Sequence, residues 1–212
     1  MLNKKGLKPM KKILFCTSLF VITNSAMANA APTSDLTVSG TVVAPSCTVS
    51  ATESGIYDFG AISPALIGKV EKALTPINQT YTIHCDAITY LTFKTIDNRS
   101  DSVTVPSDAK FGLGKNGERG NVGYYTGKVK NAMVDGAASK LMQSASTSFY
   151  AYDVVDLTNS TTLVTGWAEA NSKLKSGTDF QADVEITPYL SKSSDFGGVV
   201  SNVDLNGSAR SG

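Results

Sequence analysis

An all-β fold is what this 212-residue chain predicts, and three observations predict it. Short segments that alternate apolar and polar residues recur from Leu36 to the end of the chain. Gly, Asn, Asp, Ser and Pro punctuate them, and helical periodicity is nearly absent. Together with a single pair of cysteines beyond the leading segment, these features predict a β-sandwich with Greek-key connections and one disulfide. No internal repeat is visible, and no linker is long enough to divide the chain.

Residues 1–30 read as a cleaved secretory signal peptide. "MLNKKGLKPMKK" carries five lysines and no acid, "ILFCTSLFVIT" is a short apolar run, and "NSAMANA" supplies small residues for cleavage after Ala30 or Ala28. The apolar run is too short to span a bilayer as a helix. Cys16 leaves with it, and bulky Phe15 before it argues against a lipoprotein. Cleavage lowers Lys+Arg from 19 to 14 against 18 Asp+Glu, so the +1 of the precursor becomes −4. No basic run remains that could follow a phosphate backbone, and nucleic acid is not an expected partner.

Residues 31–46 read as an N-terminal extension running into the first strand, and 47–212 as the domain. "DLTVSGTVV" places Leu36, Val38, Gly40 and Val42 on one face, with a glycine where a core side chain belongs. Cys47 and Cys85 remain after cleavage and, in an exported protein, most simply form one disulfide across 38 residues. A metal site is the weaker reading, since His84 is the only histidine. "GIYDFGAIS" reads as a short strand, and "QTYTIHCD" and "AITYLTFKTIDN" as longer ones. "FGLGKNGERGNVG" reads as a hairpin connection, lacking the spacing of a dinucleotide or phosphate loop. Strands follow in "NVGYYTGKVKNAMVDG", "STSFYAYDVVDL", "TTLVTGW", "FQADVEITPYL" and "GVVSNVDLNGSA". "GWAEANSKLKSG" is the best short helix candidate.

Enzymatic motifs are thin, and neither an enzyme nor a cofactor is expected. Ser-x-x-Lys occurs at Ser107 to Lys110 and at Ser172 to Lys175, but the middle motif of serine–lysine hydrolases is missing between them. A Ser-His-Asp triad would have to use His84, which is better read as a solvent-facing strand residue. Asp97, Asp101 and Asp108 follow no calcium-loop pattern. Tyr124, Tyr125, Phe149, Tyr150, Tyr152 and Trp167 are the aromatics a stand-alone carbohydrate-binding sandwich would use.

The leading segment has two readings on its residues alone. It is the domain's own first strand, with Gly40 at a bulge. Or the domain lacks one strand, and the segment is a donor for another copy, with Leu36, Val38 and Val42 filling successive pockets and Gly40 lying where the groove is shallow.

The order of blocks resembles a known family. A signal peptide, an alternating segment with a central glycine and "GTVVAPSC", followed by "YDFGAIS", "TIHCDAITYLTFKTIDNR", "FGLGKNGERGNVGYYTGKVKNAMVDG" and "LNGSA", is similar to fimbrial (pilus) subunits of the Gram-negative chaperone–usher pathway, in a little-characterised branch. The resemblance implies an incomplete immunoglobulin-like domain with a Cys47–Cys85 disulfide. It implies folding on a periplasmic chaperone and export through an outer-membrane usher to a surface fimbrium that supports adhesion, with other pilus subunits as partners and a host glycan or surface as a possible target. It makes Leu36, Val38, Gly40 and Val42 donor-strand residues, and Val203, Leu205, Gly207 and Ala209 the C-terminal strand lining the groove. Such subunits normally finish in a longer alternating strand with an aromatic residue next to last. Here the strand stops at Arg210-Ser211-Gly212, as a truncated or frame-shifted copy, or a subunit that docks differently, would.

Overall fold

The structure, a computed structural model, describes residues 37–198 and 202–212. The chain divides into a leading unit, Met1–Val42, and a second unit, Val43–Gly212, that holds the assigned strands. In chain order these are β1 (Cys47–Ala51), β2 (Lys72–Ala73), β3 (Ile77–Tyr90), β4 (Thr92–Phe93), β5 (Thr95–Asp97) and β6 (Phe111–Gly112). They continue with β7 (Gly123–Val134), β8 (Ala137–Ala138), β9 (Lys140–Ser144), β10 (Ala151–Tyr152), β11 (Val154–Asp156), β12 (Val164–Ala170), β13 (Lys173–Leu174), β14 (Ser176–Leu190) and β15 (Ala209–Ser211). A single helical turn, α1 (Ser193–Phe196), follows β14.

The main sheet is antiparallel in the order β1-β3-β14-β7-β11, with β2 on β14 and both β6 and β8 on β7. Its centre is β14, whose Phe180, Ala182 and Ile186 alternate into the core as a half-buried strand requires. One extra residue in β7 bulges against β14 between Gln181 and Asp183. Asn131 takes the left-handed conformation there (φ 52°) and donates through Nδ2 to Asp183. At the far end of β7, Asp135 and Gly136 both have positive φ, the turn that suits a two-residue hairpin into β8.

The second sheet runs β10-β9-β12-β13 with β4 on β12, and β15 pairs β5 in a separate ribbon. Trp167 of β12 ties the second sheet to the first. It meets Phe180 edge-on at 5.3 Å, lies 6.0 Å from Phe93 and donates its indole N–H to the Gln181 carbonyl. The outer face of this sheet carries a small core of its own, where Phe149 covers Met142 and Ala168.

The fold is thus largely antiparallel β with one disulfide, as the alternation predicts. Two segments differ from their sequence reading. "GWAEANSKLKSG" is not helical: it runs as β12, a tight turn with Ser172 at φ 54°, then β13 and the start of β14. Its apolar residues, Trp167 above all, bury from a strand, and tertiary burial overrides helix propensity. "GIYDFGAIS" joins no ladder, and positive φ at Gly55 (77°) and Gly60 (61°) breaks it.

Candidate functional site

The cysteines sit directly opposite each other in the β1–β3 ladder and are joined. That bond fastens a strand which contributes little burial. Directly opposed residues share a face, so Cys47, Val49 and Ala51 lie on the side of Cys85, Ile83 and Tyr81. Cys85 is buried and Ile83 packs on the main core, so this is the core side. Val49 is nevertheless 62 % exposed.

After β1 a left-handed turn at Glu53, Ser54 and Gly55 swings the chain into the stretch 56–63, which joins no ladder and turns at Gly60 (φ 61°). Tyr57 and Phe59 alternate inward onto the main core, while Ile56, Asp58 and Gly60 face outward. The Tyr57 hydroxyl donates to the Val184 carbonyl at 2.9 Å, and Gln79 Nε2 donates to the Ile56 carbonyl. Burial first, then the neighbouring Tyr81 and Tyr125, push the Tyr57 hydroxyl far above the ordinary tyrosine range. It remains a neutral donor.

Residues 202–208 are built alike. Val203 and Leu205 pack on the same core, and Gly207 lies so close to Leu113 and the ring of buried Tyr125 that a Cβ would stand 3.0 Å from the ring. Asn206 N donates to Leu113 O, Asn98 N donates to Ser208 O, and Lys94 and Gly212 exchange both backbone bonds. Asn206, Ser208 and Gly212 therefore spend main-chain groups on Leu113 and the β5 side. Strand geometry turns those of Leu205, Gly207, Ala209 and Ser211 to the opposite edge. Among the described residues that edge joins no strand, because β15 pairs β5 alone. Arg210 and Ser211, where the sequence reading has the strand stop, are part of this ladder.

The candidate site is drawn from three uncovered features: an exposed core face on β1, a stretch at 56–59 that joins no ladder, and the unpaired edge of Leu205, Gly207 and β15. Of the expected donor residues, Val38, Gly40 and Val42 lie in no assigned strand, and Val38 and Val42 are exposed. Leu36 lies outside the described residues.

The rival sites fare differently. Lys110 Nζ lies over the Tyr124 ring at 4.2 Å, at the rim of a surface hollow of about 510 Å³ that Ser107 also lines. Lys175 Nζ donates to the Ala138 carbonyl, and Ser172 Oγ to that of Phe149. His84 is a solvent-facing strand residue paired with Asp179 at 2.7 Å. Of the aromatics, Trp167, Tyr125 and Phe149 are core. Tyr124 stacks on Tyr189, and burial with the Glu71 hydrogen bond raises its hydroxyl to about 12. Tyr150 and Tyr152 are exposed. The sequence reads 56–63 as a strand, and the Gln79 contact went unread; the lone glutamine on the core-facing register of "INQTYTIHC" was the available signal.

Residues 36–115 match a family model described as a protein of unknown function, DUF1120. The match covers less than half of the chain: it holds both cysteines, the stretch 56–63 and β5, and stops short of β7, β14 and β15. Neither the curated proteins nor the solved structures returned a match.

Proposed function

We propose that this chain is a structural subunit of a fimbria, non-enzymatic, exported to the cell surface and assembled by donor-strand exchange with the help of a periplasmic chaperone and an outer-membrane usher. The observation that carries the reading is this set of uncovered features. Tyr57 and Phe59 on one stretch and Val203 and Leu205 on another press into one core, yet among the described residues neither 56–59 nor the outer edge of Leu205, Gly207 and β15 joins a strand. An edge of that kind is a template for a strand from another chain, which would satisfy the backbone and cover Val49. The strand order supports an incomplete immunoglobulin-like Greek key. β1-β3-β14-β7 matches the A-B-E-D order of such sandwiches, β5 with β15 would stand for C and F, and among the described residues no strand pairs the outer edge of β15. The alternating segment at Leu36, Val38, Gly40 and Val42 is the strand this subunit would lend.

The test is assembly in cells that supply a chaperone and an usher. A chain lacking residues 31–42 is expected to accept a strand but donate none, and so to end fibres. Fibres that grow as well with the deleted chain as with the intact one refute the reading. A second reading, a stand-alone carbohydrate-binding sandwich, draws on exposed Tyr150 and Tyr152. A glycan-array signal abolished by Tyr150→Ala and Tyr152→Ala in a strictly monomeric protein would favour it.

A further inference from the structure

Gln79 is a polar residue at a position that should be apolar. It lies on the core-facing register of β3 with Ile77, Tyr81 and Ile83, and is 3 % exposed. Its Nε2 donates to the Ile56 carbonyl, while its Oε1 has no partner and is shut away from solvent. A buried acceptor left unpaired weakens a fold, and a leucine or methionine here would remove that cost. The residue directly opposite Gln79 in the β3–β14 ladder is Val184. Its carbonyl is the one that accepts the Tyr57 hydroxyl. Two consecutive residues of the free stretch, Ile56 and Tyr57, are thus held by the two members of a single rung. Beyond them, residues 58–63 bond locally: Gly60 N donates to the Asp58 carboxylate, and Ser63 accepts from Ala65 N through its hydroxyl and from Leu66 N through its carbonyl.

We propose that Gln79 is a positioning residue: together with the Val184 carbonyl on the facing strand, which holds Tyr57, it clamps the 56–59 edge at the distance from the core that an incoming strand requires. The clamp substitutes for the ladder this stretch lacks. Two hydrogen bonds to a rigid central rung fix where the edge begins, and the apolar anchors Tyr57 and Phe59 then fix which way it faces. The incoming strand therefore meets an edge already in place instead of ordering one as it binds. This role rests on the strand-acceptor reading above.

The test compares the full chain with Gln79→Met and Tyr57→Phe, using two readouts. Backbone order parameters at 57–59 read the clamp, and capture of a fluorescent peptide of residues 34–46 reads its use. In Gln79→Met the thermal midpoint should stay level or rise, the order parameters at 57–59 should fall into the flexible range, and peptide capture should weaken about tenfold. Tyr57→Phe should do the same more mildly, and the double variant should add little to the single ones, because either change opens one clamp. Unchanged order parameters at 57–59 in Gln79→Met overturn the clamp whatever the peptide does, as does a loss of thermal stability that accounts for the greater motion. If motion increases as expected but the unaltered chain captures no peptide, the clamp stands as a structural device. Strand acceptance is then the part refuted.

Discussion

The β3–β14–β7 slab and the segments β1, 56–59 and 203–208 are written in the same alternating pattern, yet the slab is paired on both edges and those segments are not. β14 has a ladder partner along most of both edges, and Phe180 and Trp167 are sealed between the sheets. In those segments Tyr57, Phe59, Val203 and Leu205 also turn inward, but the backbone beyond them stops at an unpaired edge and Val49 faces solvent. Alternation decides which way side chains point. It does not supply a neighbour for the backbone, and an apolar face and an edge left uncovered are what a strand from another chain would cover.

That contrast can be broken most forcefully in the closed half. Phe180→Ala removes a ring packed against Trp167 and should cost about 3–5 kcal/mol in urea unfolding; a cost under a third of that would mean the slab is not the stabilising half. Next is the disulfide. Cys47→Ser with Cys85→Ser should cost about 3–4 kcal/mol by loop entropy. The loss should also concentrate in β1, read as faster hydrogen exchange at 47–51 than at the centre of β14, because burial holds β1 so weakly.

A smaller effect concerns acid. The Asp135 carboxylate accepts the backbone N–H groups of Asp179 and Thr178, which hold its pKa below the ordinary carboxylate range. The folded value lies below the unfolded one, so protons favour the unfolded chain. The contribution is complete above roughly pH 4 and is lost as pH falls through the folded value. Urea midpoints measured from pH 5 to pH 2 should fall, and Asp135→Asn should flatten the fall; equal slopes in both proteins would contradict the assignment.

The smallest effect is the sharpest test of the uncovered face. Val49→Ala should change the free chain by less than about 0.5 kcal/mol, because the side chain is exposed. In chain saturated with the 34–46 peptide the same change should become clearly destabilising. A cost in the free chain close to that of Phe180→Ala would mean the face is already covered.

Much of the fold was legible in the sequence because its signals are local. Asp135-Gly136 closes a hairpin through its own φ preferences, and "DFQADVEI" reads as a half-buried strand from period two alone. Cys47 and Cys85 were the natural pair because no other cysteine lies in the second unit. "GWAEANSKLKSG" misled because thin local propensity yields to the burial of one tryptophan between sheets. "GIYDFGAIS" misled because ladder pairing depends on what lies beside a segment, which its own residues do not record.

The sequence by itself determined which residues face the core and where the chain turns, since side-chain alternation and turn chemistry act over two to four residues. Only the tertiary structure decided that two such segments end as unpaired edges on one core, and that Gln79 sits opposite Val184 to hold one of them. Those facts arise from register between strands far apart in the chain, a long-range property that no short stretch encodes.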